Sequence, residues 1–488
     1  MDGGDALPLR SGEDPEIAGL TADSREVKPG FLFAALRGTR TDGTRFVGEA
    51  VARGAAAVLL ADPRPFAELA RRAPPVRLIA DPNPRRRLAR MAARFHAPQP
   101  ATLVAVTGTN GKTSVAWFTR QIWEFCGLAA ASLGTLGIVG PGVTESGSHT
   151  TPDPVALHRT LQRLALAGIS HVALEASSHG LDQYRLDGLA LAAAAFTNLT
   201  RDHLDYHADM AAYLAAKKRL FSELLPRGGT AVLNFDTAEG RALSAECRAW
   251  GQHVVGFGTA ENADLRLVAT QPSATGQSIE IAVSGDRHAL ALPLLGAFQA
   301  SNVLAALGLA IAGGAPPGAA VAALPRLVGV PGRMEHVASH PNGAPIIVDY
   351  AHTPDALETV LTALRPHCRG RLAVVFGCGG DRDPGKRPMM GAIAARLADR
   401  AIVTDDNPRT ENASAIRRAI LAAAPAAQEI DDRRAAIRAG IAALAPGDVL
   451  LLAGKGHESG QIVGSTTLPF SDAAVAREAV SMLAGAGR

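Results

Sequence analysis

The stretch TLVAVTGTNGKTS, residues 102–114, constrains the fold more than any other feature of this chain. An apolar run ends in a glycine-rich turn, and a helix-like stretch from Ser114 to Phe125 follows, closed by Gly127. Glycines in a strand–turn–helix unit let backbone N–H groups close around phosphate oxygens at the helix N-terminus. Lys112 adds a point charge for β- and γ-phosphates, and the Thr113 hydroxyl is placed to reach Mg²⁺. The usual phosphate loop has a glycine five residues before Gly111; Val106 stands there, and Gly108 serves in its place. An ordinary strand–helix turn has no need of Lys-Thr at this spacing. Gly108, Thr109, Asn110, Gly111, Lys112 and Thr113 are therefore expected to bind a nucleotide.

A chain of 488 residues is too long for one ordinary domain, so two to four are expected. Punctuation divides it into three blocks, 1–100, 101–332 and 333–488. The first holds the strand-like runs FLFAAL and AAVLLADP, a helix from Arg85 to Phe95 and the linker-like HAPQPA. The second alternates apolar strands with amphipathic helices, including Val155 to Ala167 and Met210 to Leu225, which predicts a mostly parallel sheet. Within it, DLRLVATQPSATGQSIEIAVSGDRHALALPL shows a period of two and predicts a small antiparallel sheet. The block closes in the Gly- and Pro-rich AGGAPPGAAVAALPRLVGVPGR. The third repeats the strand–helix grammar in PIIVDY, RLAVVFG, RAIVT and DVLLLAG, so a second, Rossmann-like α/β domain is expected.

A net charge of +3 gives no argument for nucleic acid or an anionic membrane. Four scattered cysteines without a CxxC pair fit a reducing compartment. The first residues, MDGGDALPLRSGEDPE, are the opposite of a secretory signal, and the longest apolar run, Leu189 to Phe196, is too short to span a bilayer. A cytoplasmic protein without membrane insertion is expected.

In α/β sheets, ligands sit beyond the carboxyl ends of the strands. Glu175 ends the strand-like HVALE, beside Ser177, Ser178 and His179, where a carboxylate can ligate Mg²⁺ or simply meet solvent. His203 follows another buried strand. Lys217 and Lys218 lie on the next helix, where a solvated basic face is the plain reading. In the third block the strand ends read Asp349-Tyr-Ala-His352, Gly377-Cys-Gly-Gly-Asp-Arg382, Asp405-Asp-Asn-Pro-Arg409 and Gly454-Lys-Gly-His-Glu458. Asp349 and His352 serve equally as caps of the following helix or as site residues.

Taken in order, TADSR, GTNGKTS, LEASSHGL, TNLTRDHLDYH, GAFQASN, GRME, VDYAHTPDAL, FGCGGDRDPGKRP, DDNPRTE and GKGHE resemble the Mur ligase family of peptidoglycan synthesis. The resemblance implies three domains, binding a uridine nucleotide, ATP and an amino acid. It implies an ATP-dependent, amide-forming ligase acting through an acyl phosphate. It assigns Lys112 to the phosphates and Thr113, Glu175 and His203 to Mg²⁺, with Lys217 carbamylated as a further metal ligand and Lys218 as the alternative one register away. Asn302, Arg333, Asp349 and His352 match ATP-holding positions, the last three reaching in from the C-terminal domain. Ser24, Thr150, Thr151, Ser177, Gln183 and Arg185 match positions for the UDP-linked substrate. Thr44 and His149 depart from the family pattern.

Among family members the C-terminal motifs are most similar to those that add meso-diaminopimelate to UDP-N-acetylmuramoyl-L-Ala-D-Glu. Arg382, Asp406, Asn407, Pro408, Arg409, Gly454 and Glu458 then surround the amino acid. Arg409 pairs with the distal carboxylate, bidentately, and Glu458 with the distal ammonium. Lysine-adding members lack this arginine. Folylpolyglutamate synthetases share GTNGKTS but need neither the first block nor the DNPR cluster, and a nucleotide-gated regulator needs fewer polar strand ends. A monomer is expected.

Overall fold

The structure, a computed structural model, describes residues 15–38, 41–71, 76–147, 149–204 and 206–486. The chain divides into two compact units, Met1–Gly256 with Ala305–Pro317 and Phe257–Leu304 with Gly318–Arg488.

The first unit opens with a parallel sheet of Gly19–Thr21, Phe31–Ala34, Ala57–Leu60 and Arg77–Ala80 in chain order. The inner two are the strands the sequence marks; the outer two are too short or too exposed to show a pattern. Leu32, Ala34 and Leu59 pack on Leu88 and Ala92 of the helix Pro84–Phe95. That helix starts as its sequence predicts: Pro84 occupies the first turn and Asn83 Oδ1 accepts from Arg86 N–H at 3.0 Å.

The larger sheet of this unit runs in space Thr230–Asn234, Leu191–Phe196, Thr102–Thr107, His171–Glu175, Ala130–Gly134, with Gly137–Gly140 and Val143–Glu145 added antiparallel. The first five strands are mutually parallel. Residues 103–106 are wholly buried, as strands covered on both faces must be. The helix Lys112–Phe125 lays Val115, Phe118, Ile122 and Trp123 inward, and Trp123 Nε1 donates to Ala310 O at 3.1 Å. This order brings the carboxyl ends of Thr102–Thr107, His171–Glu175 and Leu191–Phe196 side by side. The helix predicted from Met210 to Leu225 is α-helical over Met210–Arg219 and widens into a π turn over Leu220–Leu224.

In the second unit, Leu265–Ser273, Gly276–Val283 and Asp286–Leu292 form antiparallel hairpins, as the period-two pattern predicts. The other sheet runs Glu335–Ser339, Pro345–Asp349, Val449–Ala453, Leu372–Phe376, Arg400–Val403, Gln428–Glu429, parallel except for the first strand. Helices cover both faces: Leu357, Met390 and Ile420 pack on one, Ile437, Ile441 and Val475 on the other. A separate hairpin, Gly460–Val463 with Thr466–Pro469, follows the last parallel strand. The Gly- and Pro-rich segment near residue 320 differs from its expected texture, because it contains the helix Pro317–Ala323. Proline at a helix start loses no hydrogen bond. Among the described residues, no helix is long and apolar enough to cross a membrane.

Candidate active site

In the first unit, the turn after Thr107 requires its glycines: Gly108 has φ +148° and Gly111 φ +87°, and a Cβ on Gly108 would strike Thr197 Oγ1. Thr109 N–H donates to Asn198 O and Asn110 N–H to Asn198 Oδ1, each at 2.9 Å, so the neighbouring strand end braces the loop. Lys112 folds back over it, donating to Gly108 O at 3.0 Å and Thr109 O at 2.7 Å.

Glu175 lies against this loop. Its Oε2 accepts from Thr113 Oγ1 at 2.9 Å, and its Oε1 accepts from Thr135 N–H at 2.7 Å. Burial pushes its carboxyl up from the ordinary value, opposed by the Lys112 charge and by the hydrogen bonds from Thr135 and Thr113.

Lys217 differs from the solvated face that its helix suggests: it is 1% exposed, donates to Gly108 O at 2.7 Å and lies 4.2 Å from the centre of the Tyr213 ring. Burial, helped by the nearby Lys112 charge, lowers its amine to about 6. Lys218 points elsewhere, to Glu246 Oε1 at 2.5 Å. His203 stands on the more open rim with φ +53°, its ring 4.9 Å from that of His179.

The same network continues away from the loop. Thr135 Oγ1 and Thr150 Oγ1 are 3.1 Å apart, and Thr151 Oγ1 donates to Glu175 O at 2.9 Å while accepting from Ser177 N–H at 3.1 Å. Arg185 donates to Thr151 O at 2.6 Å and to Gln183 Oε1 at 2.7 Å. Five of the six residues expected at the UDP-linked substrate are thus gathered beside Glu175. Ser24 is not among them; it is buried in the small sheet's domain and donates to Glu49 Oε2 at 3.1 Å.

In the second unit, Asn302 is buried and donates to Gln299 Oε1 at 3.0 Å. Asp349 does not cap the helix Pro354–Leu364; Thr353 does, and Asp349 instead accepts from Met334 N–H at 2.7 Å and Ala351 N–H at 2.8 Å. Burial lifts its carboxyl to about 6. The Arg333 guanidinium lies 5.0 Å from the centre of the Tyr350 ring, and the His352 ring is 4.5 Å from Tyr350.

The remaining strand ends meet at one edge. Asn407 Nδ2 donates to Glu458 Oε2 at 3.0 Å, and Arg409 Nη1 to Gly380 O at 2.8 Å. Arg409 has φ +52°, its N–H donating to Ile462 O at 3.1 Å and its carbonyl accepting from Gly464 N–H at 2.8 Å. The Gly460–Val463 hairpin strand therefore shapes this turn along with Pro408. Asp406 is buried behind it, lifted by burial and opposed by Arg433 and Lys455. Gly454 has φ +115°, and a Cβ there would lie 2.5 Å from Asp406 Oδ2. Arg382 sits exposed on the adjacent loop, donating to Asp381 O at 3.2 Å. Sequence reasoning missed Thr135 and Lys455. A glycine-flanked turn, LGTLG, is the one signal for the first, and the second stands between Gly454 and Glu458.

Residues 16–96, 106–310 and 332–456 match, in turn, the Mur ligase family catalytic domain, the Mur ligase middle domain and the Mur ligase glutamate ligase domain. The chain is 52% identical over 460 residues to the UDP-N-acetylmuramoyl-L-alanyl-D-glutamate--2,6-diaminopimelate ligase of Mesorhizobium japonicum, covering 94% of each chain. The chain belongs to the Mur ligase family. This Mur ligase is also 54% identical over 482 residues to the enzyme of the same name from Caulobacter vibrioides, covering 96% of each chain. A solved structure of a UDP-N-acetylmuramoyl-L-alanyl-D-glutamate--2,6-diaminopimelate ligase superposes with a TM-score of 0.73 at 34% identity, covering 96% of this Mur ligase and 95% of that chain.

Proposed function

We propose that this Mur ligase joins the D-glutamyl carboxylate of UDP-N-acetylmuramoyl-L-Ala-D-Glu to an amine of meso-diaminopimelate, with ATP converted to ADP and phosphate. A carboxylate oxygen attacks the γ-phosphorus as the bond to ADP breaks, giving an acyl phosphate. The amine then attacks the acyl carbon, phosphate leaves the tetrahedral intermediate, and the amine proton is released. A carboxylate is a poor acyl donor until its oxygen leaves as phosphate, so the protein mainly positions substrates and offsets moving charge.

The observation that carries the reading is the convergence of Asn407, Arg409 and Glu458, in a chain half identical to diaminopimelate ligases along nearly its whole length. In this reading residues 1–100 bind the uridine nucleotide, 101–332 ATP and 333–488 the amino acid. Gly108 to Thr113, with Asn302, Arg333, Asp349 and His352, hold ATP. Ser24, Thr150, Thr151, Ser177, Gln183 and Arg185 hold the UDP-linked substrate. Arg382, Asp406, Asn407, Pro408, Arg409, Gly454 and Glu458 hold diaminopimelate.

Mg²⁺ fits the donor set beside the loop. Thr113 Oγ1 and Glu175 Oε2 are hard oxygens already 2.9 Å apart, and His203 stands at the rim. Bound Mg²⁺ supplies charge neutralisation for the phosphates. As an ammonium Lys217 would repel a cation, but an amine at about 6 is neutral near pH 7 and can attack CO₂, losing a proton to give an anionic carbamate. That supports its place among the metal ligands. The nearly balanced charge supports an enzyme of small molecules that does not bind nucleic acid, and the reading is completed by a monomer in the cytoplasm.

The test supplies Mg-ATP and UDP-N-acetylmuramoyl-L-Ala-D-Glu and compares phosphate release with meso-diaminopimelate, L-lysine or no amino acid. Strong stimulation by diaminopimelate alone is expected. Equal turnover with lysine would sink the specificity, and no stimulation by either would sink the ligase reading.

A further inference from the structure

Lys455 is 0% exposed, yet it carries a charge at the edge of the sheet where the strand ends converge. Its ammonium donates to Asn407 Oδ1 at 3.0 Å and to Glu458 Oε2 at 3.1 Å. Asn407 Nδ2 donates to the same Glu458 oxygen at 3.0 Å, and Ile462 N–H donates to Asn407 Oδ1 at 2.9 Å. The amide orientation is fixed by this set: only the oxygen can face Lys455 and Ile462, and only the NH₂ can face Glu458.

The pair is asymmetric. Glu458 keeps 32% of its side chain exposed while Lys455 keeps none, so the ammonium backs the carboxylate from the protein side. Both bonds fall on Oε2; among the described residues none engages Oε1, which leaves that oxygen for a cation arriving from outside. Enclosing an ammonium carries a large desolvation cost, and an apolar residue at this place would avoid it.

We infer that Lys455 is a positioning residue for the incoming amino acid, locking the Asn407 amide and turning the Glu458 carboxylate so that its outer oxygen meets the substrate's distal ammonium. The inference rests on the proposed amino-acid site. It adds a residue that touches no substrate and acts through Asn407 and Glu458, while its charge also offsets that of buried Asp406. Without Lys455, the Asn407 oxygen keeps only Ile462 N–H among the described residues, and Glu458 can swing toward solvent. Discrimination at the far end of the amino acid is then lost, while the nucleotide loop in the other unit is untouched.

The test uses the full chain at saturating Mg-ATP and UDP-N-acetylmuramoyl-L-Ala-D-Glu, with meso-diaminopimelate varied. Lys455→Met is expected to raise KM for diaminopimelate by about 30-fold or more, since truncating a buried charged partner has costs of that order. KM for ATP and for the UDP-linked substrate should rise far less, since neither contacts the Asn407–Glu458 pair in this reading. In a Glu458→Gln background, adding Lys455→Met should cost less than about threefold more, because the two act as one unit. Should Lys455→Met fail to fold, Lys455→Arg keeps the charge but cannot place one nitrogen between both oxygens. It should raise KM for diaminopimelate selectively.

An unchanged KM for diaminopimelate would overturn the inference. So would a parallel rise of all three KM values with a fallen Tm, the mark of a mere structural prop. Absence of diaminopimelate-dependent turnover in the unaltered enzyme would instead count against the function proposed above.

Discussion

Arg409 combines a left-handed backbone with a guanidinium that reaches back to Gly380 O at 2.8 Å. If that guanidinium grips the distal carboxylate, Arg409→Lys keeps the charge and loses the fork. The expected outcome is at least about a tenfold rise in KM for diaminopimelate, with ATP affinity unchanged by equilibrium binding. Unchanged diaminopimelate affinity would remove Arg409 from that role. Asp349 gives a residue-level prediction in pH. Its folded value of about 6 lies above the ordinary 3.8, so the folded state holds this proton more tightly than the unfolded chain does. Stability from that proton is complete below pH 3.8 and is lost as pH rises through 6, by up to about 3 kcal/mol. Asp349→Asn cannot titrate. The stability of wild type minus that of the variant, followed by urea unfolding, should therefore fall between pH 4 and 6.5. A flat difference would contradict the assignment.

At the scale of elements, the Gly454–Glu458 loop and the Gly460–Val463 strand brace the Asp406–Arg409 turn from one side. Gly454→Ala adds a Cβ 2.5 Å from Asp406 Oδ2 at φ +115°. Thermal unfolding should show a loss of about 1–3 kcal/mol, and KM for diaminopimelate should rise more than KM for ATP. Wild-type behaviour would mean that the turn adapts freely. Much of this scale was legible in the sequence. Apolar runs closed by Gly or Asp marked the parallel strands, and period-two alternation marked the hairpins at Leu265–Leu292. Gly19–Thr21 and Arg77–Ala80 were not legible, because three or four residues at a sheet edge carry no period. The burial of Lys217 was not legible in the residue pattern for a different reason. Local spacing cannot tell which face of a helix meets a phosphate loop a hundred residues earlier. The bracing of Arg409 by Ile462 and Gly464 is long-range backbone pairing, and side-chain chemistry does not announce it.

For the whole molecule, packing groups the antiparallel hairpins with the C-terminal sheet. Candidate ATP residues occur in both compact units: Gly108 to Thr113 in one, Asn302, Arg333, Asp349 and His352 in the other. Hydrogen exchange with Mg-ATP should therefore protect amides near residues 108–113 and, in the same titration, amides near residues 333–352. Protection confined to the first segment would remove Arg333, Asp349 and His352 from the ATP set. Within the second unit, the fully buried Arg433–Asp472 pair at 2.6 Å ties two helices on the same sheet face. Its arginine acts on the buried Asp406, so the Asp406–Arg409 turn rests on the same core that holds those helices.

The φ of +52° at Arg409 bears on anyone redesigning this enzyme's substrate choice. A saturation library at that codon mixes two variables, since β-branched replacements are strained in left-handed backbone whatever their charge. Asparagine and glycine tolerate that geometry and so remove the guanidinium while leaving the turn in place. Comparing those two with a valine at the same codon separates loss of recognition from loss of shape. If Arg409 reads the distal carboxylate as proposed, a lysine-preferring enzyme is to be sought among replacements of Arg409 that its left-handed backbone tolerates.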